Sequence, residues 1–366
     1  MNYKISFCIV SMNRTYQLKE TFLKNIDDNK TYAELEFILL DYNSTDEMKI
    51  WVEENLTEHL ESGRVKYYYT PEPKIFNHSH SKNLAFNLAT GDIICNINAD
   101  HFTGFEFAQY VNECFKKDLN IVLTGRNFKS KKKKNLVPSD LGGKICLRKV
   151  DFQAVNGFDE RMQVYGYEDR DMINRLHILG RKIVEIDYQK FGLFIKHSHD
   201  ERYSRQPISQ RILICPLSTY SCKLIILEQN NSFLMGTIIN RRYEKSGEYM
   251  NSMKSWGESL FRLKERIWIE GNYQIMSKDK KIVFDTKKET FTLNICKGNK
   301  IFKNLNDYYY LLEDKDMIDA TLSFRYLNNN YVFMMENLRR KRVFANSDGR
   351  SKMTLYKNFS TAPITI

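Results

Sequence analysis

Glu168, Asp169 and Asp171 crowd three carboxylates into four residues of the stretch GFDERMQVYGYEDRDMINRL, residues 157–176. They follow a turn rich in Gly and Tyr. Behind them Met172, Ile173 and Leu176 keep the spacing of a helix with one buried face. Acids in a helix's first turn sit well against the positive end of its dipole, so an ordinary acidic helix start is one reading. Like charges this close also repel, and a purely structural purpose is a poor reason to gather them. A carboxylate cluster entered from a Gly-containing loop is what a sugar-binding or general-base site needs. Two further stretches have ligand character. Asn98-Ala99-Asp100-His101 ends an apolar run, and a carboxylate with an imidazole there can bind a cation that neutralises a diphosphate. Hard oxygen donors suit Mg2+ or Mn2+, and a histidine tilts the choice towards Mn2+. Lys196-His197-Ser198-His199-Asp200 follows a second apolar run, residues 191–195.

Strands and helices must alternate to carry these groups. Residues 5–10 (ISFCIV), 37–40 (FILL), 65–69 and 92–97 (DIICNI) read as strands, the first, second and last of them buried. Residues 15–26, 48–60 and 80–90 read as the helices between them, the last stopped by Gly91. Near-continuous apolar strands alternating with helices imply a mostly parallel, twisted sheet covered on both faces. Ligands of such sheets bind beyond the carboxyl ends of the strands. Those ends carry residues 11–14, 41–46 and 98–101, all polar and loop-like.

Length and charge bound the rest. A chain of 366 residues predicts two units, and 42% hydrophobic residues suffice for buried cores. Neither a span of about 18 apolar residues nor a charged-then-apolar leader is present, so the expected location is cytoplasmic. The seven cysteines form no CxxC pair and read as free thiols of a reducing compartment, largely buried. Residues 1–204 hold 29 basic and 29 acidic side chains, so the whole excess of +11 falls in residues 205–366. That asymmetry points to an anionic partner: the inner face of a membrane, touched peripherally, an acidic glycan or nucleic acid. No zinc finger, RNA-recognition signature or helix-turn-helix spacing supports nucleic acid.

Between residues 142 and 198 the motifs become specific. Gly142-Gly143, Asn156-Gly157-Phe158, Tyr165-Gly166-Tyr167-Glu168-Asp169-Arg170-Asp171, Asn174-Arg175-Leu176 and Ile195-Lys196-His197-Ser198 occur in that order. The series resembles the beta-1,4-galactosyltransferase family, with its Gly-Gly pair, N-G-F turn, W-G-G-E-D-D-D helix start, N-R-L continuation and I-R-H-S run. The first half is similar to the broad inverting nucleotide-sugar transferases, through Asn13-Arg14, Asp41 with Ser44 and Asp46, Lys82-Asn83 and residues 89–91. Together these resemblances imply a GT-A fold over residues 1–204. Its nucleotide half would be residues 1–101 and its acceptor half residues 102–204, followed by a basic accessory domain, residues 205–366, of mixed α+β character.

The implied roles attach to individual residues. Asp100 matches the second acid of a D-x-D motif and His197 a metal-binding histidine, with His101 a further metal ligand of D-x-H type. Asp41 matches an acid that contacts the uracil, with Asn13, Arg14 and Ser44 bordering base and ribose. Lys82, Asn83, Asn98, Tyr165 and Gly166 complete the nucleotide-sugar set. Glu168 and Asp169 match the acidic pair at the sugar, with Asp169 as catalytic base. Tyr167, Arg170 and Asp171 fall to the acceptor. The implied reaction is Mn2+-dependent (or Mg2+-dependent) inverting transfer from a UDP-sugar to a glycan or glycolipid. A degenerate, non-catalytic binder of the same fold is the alternative, because Asn98 replaces the first acid of D-x-D and Phe194 a metal-ligating methionine. Tyr167 replaces a glycine and Arg170 an acid, which bears on the acceptor.

Beyond residue 205 no family is recognised. Residues 237–243, 273–276, 281–284 and 290–295 read as short strands, and 250–266 as an amphipathic helix with Trp256, Leu260 and Leu263 on its apolar face. Leu338 to Arg342 form a basic run, and Lys131 to Lys134 a solvated loop. The expected role is either to hold acceptor or membrane, or to oligomerise.

Overall fold

The computed structural model of the chain describes residues 1–125, 139–196, 211–218, 221–240, 261–265 and 267–365. It divides into two units, Met1–His197 with Phe333–Ile366, and Ser198–Val332. The first is built on a mixed sheet. Strands β1 (Ile5–Ser11), β2 (Leu35–Tyr42), β3 (Val65–Thr70) and β4 (Ile93–Asn96) are parallel, in the order β3-β2-β1-β4. Two more, β5 (Ile121–Thr124) and β7 (Lys182–Glu185), are parallel to each other and flank the antiparallel β6 (Ile145–Arg148).

Side chains of a strand alternate between faces, and here both faces are buried. On one, Ile5, Phe7, Leu35, Phe37 and Leu39 meet α1 (Thr15–Asp28), α2 (Met48–Asn55) and α5 (Phe107–Lys117) through Leu18, Phe22, Trp51 and Phe115. On the other, Cys8, Ile38 and Leu40 meet α4 (His78–Leu88), α6 (Lys149–Ala154) and α7 (Glu168–Ile178) through Leu84, Phe86, Phe152 and Met172. The expected helix 48–60 is broken at Leu56, where φ is −116°, giving α2 and α3 (Thr57–Glu61). The remaining short helix of this unit is α8 (Tyr188–Phe191).

The chain divides close to the expected residue 205, but the second unit does not run to residue 366. Residues 333–366 return to the first unit instead of closing the second. Strand β17 (Thr354–Lys357) extends the sheet antiparallel to β3, with β18 (Pro363–Thr365) outside it. Asn346 donates to the carbonyls of Asn156 and Phe158, each at 2.8 Å, and Leu355 is fully buried. Amide-to-backbone bonds of this kind fasten the return segment to the N-G-F turn.

In the second unit, β8 (Arg211–Ser218), β9 (Ser221–Leu227), β10 (Ser232–Asn240), β12 (Ile269–Met276), β13 (Lys281–Thr286), β14 (Thr290–Cys296), β15 (Ile301–Asn304) and β16 (Asp307–Leu311) pair antiparallel in turn. The circuit closes between β16 and β8. Closure removes exposed edges, and Leu213, Ile225, Phe233, Phe284, Leu293 and Phe302 form one buried cluster. Strand β11 (Phe261–Leu263) pairs with β10, so the end of the expected 250–266 helix is a strand; residues 250–260 lie outside the described residues. A 25-residue helix, α9 (Lys315–Arg339), covers Leu224, Ile226 and Trp268 with Ile318, Leu322 and Phe324. Its residues from Phe333 belong to the first unit. Lys131 to Lys134, expected as a solvated loop, lie outside the described residues. Among those described, no helix is long and apolar enough to cross a membrane, and all seven cysteines are free.

Candidate active site

Four strand and helix ends converge on the polar groups. At the end of β1, Asn13 adopts the left-handed region (φ 57°) and acts as a hub. Its amide N–H donates to Ser44 Oγ (3.0 Å), and its side-chain oxygen accepts from Thr45 N (2.6 Å). The first loop is thereby tied to the second. At the end of β2, Asp41 is buried and accepts from Ser44 N and Tyr67 Oη, each at 2.8 Å. Burial pushes its carboxyl up despite those bonds. Arg14 stands at the N-cap position of α1, its carbonyl accepting from Gln17 N and Leu18 N, each at 3.1 Å.

The end of β4 carries Asn98, Asp100 and His101. Asn96 donates to Asn98 Oδ1 (3.0 Å) and to the Gly143 carbonyl (2.7 Å). His101 is fully buried, its Nε2 3.9 Å from Asp100 Oδ1. Residues 193–195 lie against this turn: Ile195 N donates to the Asp100 carbonyl (2.8 Å) and Phe102 N to that of Leu193 (3.1 Å). The apolar run that leads into the second ligand-type stretch therefore lies beside the first, and of that second stretch only Lys196 is among the described residues. His197 lies outside the described residues.

The first turn of α7 supplies Glu168 and Asp169. Lys82, fully buried on α4, donates to Glu168 Oε1 (3.0 Å) and Asp169 Oδ1 (2.6 Å). Lys82 with His78 holds the Glu168 carboxyl down at about 2 against its burial. Asp169 goes the other way: burial, with the Glu168 charge beside it, raises it to about 6 against the pull of Lys82. Lys82 pulls both acids down, and burial with the Glu168 charge leaves Asp169 the more basic of the two, the separation expected where one orients and the other exchanges a proton.

Gly143 shows what Asp169 faces. A Cβ there would sit 3.1 Å from Asn98 Nδ2 and 3.2 Å from Asp169 Oδ2, so the strand-end amide and the carboxylate border one spot. Gly157 is required differently: its φ is 76°, and a Cβ would meet Asn83 Oδ1 at 2.5 Å. Asn83 also accepts from Phe158 N (2.7 Å) and donates to the Phe158 carbonyl (3.0 Å), so it holds the N-G-F turn.

The loop before α7 is conformationally costly. Val164 (φ 59°), Gly166 (φ 98°) and Tyr167 (φ 68°) all have positive φ, and a β-branched residue is rarely found there. Tyr167 keeps the left-handed backbone that a glycine would take without strain. Such strain clusters at functional sites. Tyr165 packs against His78 (5.4 Å between ring centres), whose Nδ1 lies 3.6 Å from Glu168 Oε1. His78, Phe76, Tyr42 and His80 continue this aromatic row, and Tyr42 Oη is 2.6 Å from His80 Nδ1. The sequence reading missed the row, although the Phe76-Asn77-His78-Ser79-His80 cluster just before Lys82 was its signal.

Asp171 is a correction. It is buried, with Oδ2 accepting from Arg175 Nε (2.6 Å) and Oδ1 from Asn337 Nδ2 (2.9 Å). Fully buried Arg175 donates onward to the carbonyls of Val155 (3.0 Å) and Gly157 (2.8 Å). The pair braces α7 and has no carboxylate oxygen turned to an acceptor. Removing one partner of such a buried pair typically costs about 3–5 kcal/mol. Arg170 and Tyr167 are half-buried at the start of α7.

Residues 6–186 match the family model described as Glycosyl transferase family 2. Over this segment, just under half of the chain, the protein is similar to family 2 glycosyltransferases. The match covers strands β1 to β7, the strand-end loops and α7, but not β17 and β18, and the fold is GT-A. No curated protein sequence matches the chain. Among solved structures, the mannosyltransferase PcManGT from Pyrobaculum calidifontis, in complex with GDP-Man and Mn2+, is similar at 15% identity. That match covers 51% of this chain and 55% of the other, at a TM-score of 0.41. S. aureus TarS 1-349 in complex with UDP-GlcNAc is similar at 16% identity, over 55% of this chain and 64% of that one, at a TM-score of 0.42. The chain thus spans between about half and two thirds of the length of these proteins, and nothing about its donor follows from likeness at that level. The beta-1,4-galactosyltransferase resemblance is not among these matches.

Proposed function

We propose that the transferase domain moves a hexose or N-acetylhexosamine from a UDP-sugar to a hydroxyl of a glycan or glycolipid, with inversion in a single displacement. The observation that carries this reading is the buried Lys82–Glu168–Asp169 cluster bordering Asn98. With its carboxyl raised to about 6, Asp169 is ionised at neutral pH and basic enough to take the acceptor's proton. The acceptor oxygen attacks the anomeric carbon, the bond to the diphosphate oxygen breaks, and the proton passes to Asp169. Glu168, held ionised by Lys82, accepts hydrogen bonds from sugar hydroxyls, and Tyr165 packs beside them. Asn13, Arg14, Asp41 and Ser44 border base and ribose. Lys82 and Asn83 act as positioning residues, and Tyr167 and Arg170 meet the acceptor. The motif order over residues 142–198 supports a galactosyltransferase-like sugar site, serving surface polysaccharide or glycolipid synthesis.

The residues at the end of β4 fit a divalent cation of one kind. Among the described residues no cluster of three His, Cys, Asp or Glu side chains could hold a metal alone. Asp100, with His101 beside it, suits an Mn2+ or Mg2+ shared with substrate phosphates. That cation, when bound, supplies positive charge against the leaving diphosphate. His197 is a further proposed ligand. Isothermal titration with UDP tests the assignment. Wild-type affinity is expected to depend on Mn2+, and Asp100→Ala to weaken it by about tenfold or more. Unchanged affinity would remove Asp100 from the metal site.

A further inference from the structure

We infer that the return segment around the end of α9 is the surface by which this domain docks on an anionic lipid bilayer. The inference deepens the glycolipid reading above and rests on it for the acceptor alone.

Residues 333–366 hold seven basic and two acidic side chains, and four of the seven are consecutive, Arg339 to Arg342. Apolar groups stand exposed beside them. Met335 and Leu338, three apart on the helix and so on one face, are each 39% exposed, and Phe344 is 52% exposed. The geometry holds them there. Helix α9 ends at Arg339, Lys341 turns the chain with φ 48°, and Arg342 N donates back to the Asn337 carbonyl at 2.8 Å. Three residues on, Ala345 N donates to the Val155 carbonyl at 3.0 Å, so Phe344 projects from a turn pinned on both sides. Arg340 pairs with Glu336 at 3.1 Å, an exposed contact that screening keeps weak.

Cations alone would suit any polyanion. Cations interleaved with rigidly exposed Met, Leu and Phe suit a surface that offers negative headgroups and hydrocarbon together. The segment is also coupled to the transferase site. Asn337 donates to Asp159 and to Asp171, each at 2.9 Å, and Asp171 lies two residues from Asp169 on the same helix. A bilayer held against this segment would lie close to the acceptor end of α7, where a lipid-carried acceptor must arrive.

Co-sedimentation of the full chain with vesicles tests the surface. Binding is expected to vesicles containing phosphatidylglycerol and not to pure phosphatidylcholine. Replacing Arg339, Arg340, Lys341 and Arg342 together by Gln should lower partitioning by about tenfold or more. Phe344→Ser should lower it several-fold. Both variants should keep the wild-type melting temperature and the wild-type rate of UDP release from donor in solution. Equal sedimentation with both vesicle types, or wild-type binding by the charge variant, would overturn the inference. Loss of charge-variant binding with no effect of Phe344→Ser, and full competition by heparin, would assign the surface to a soluble polyanion instead. Because UDP release is read separately, a failed membrane surface and a failed transferase reading give different results.

Discussion

Asp169→Asn is expected to lower sugar transfer by about 10²–10⁴-fold, the range that a positioned general base contributes. Donor affinity should stay close to wild type, because Lys82, Glu168 and the strand-end loops remain. Stability gives a second signature. An acid whose folded carboxyl lies above its ordinary value disfavours the folded state once it ionises, and Asp169 sits at about 6. That cost is present above pH 6 and relieved as pH falls through it. Removing the ionisable group should therefore leave the melting temperature at pH 7.5 unchanged or raise it. Loss of turnover with loss of fold would instead make Asp169 structural. Wild-type kcat/KM should rise with pH through about 6 and level off above, since the deprotonated carboxylate is the active form.

Lys82→Met should show the opposite balance, a large loss of stability with a displaced pH profile. The ammonium is fully buried between two carboxylates at 3.0 and 2.6 Å. Removing it leaves two acids facing each other out of water, a change that costs about 3–5 kcal/mol in denaturant unfolding. In the wild type, Glu168 contributes stability above its ordinary value near 4.5, lost as pH falls towards 2. Without Lys82 most of that contribution is lost, leaving His78, and Asp169 loses the one residue that pulls its carboxyl down. The acid limb of the rate profile should then move to higher pH, above about 7. Lys82→Arg should restore much of the stability. A Lys82→Met variant with wild-type stability and an unmoved acid limb would mean that the cluster does not set the base.

The parallel sheet was legible because its inner strands are buried on both faces and read as unbroken apolar runs. The strand ends were legible too, since polar loops follow those runs directly. Asp171 was misread because three acids in one helical turn look alike in sequence. Successive residues of a helix point about 100° apart, so Asp171 faces away from Asp169. Its spacing of four from Arg175 was the available sign of an ion pair. The return of residues 333–366 was not legible: β17 is four residues long, and its partner β3 lies far back in the chain. Closure of the barrel was hidden for the same reason, because β8 and β16 pair across most of the second unit. Short alternating strands reveal themselves locally, and their partners do not.

Turnover of a nucleotide-sugar through Asp169 is what the proposed function requires of this domain. Release of nucleoside diphosphate from a panel of UDP- and GDP-sugars, with Mn2+ at pH 7.5, tests it most directly, with wild type and Asp169→Asn side by side. Wild type is expected to release UDP from at least one UDP-sugar in an Mn2+-dependent manner, and the variant to lose nearly all of that release. Absence of release from every donor, or equal release by Asp169→Asn, would contradict it.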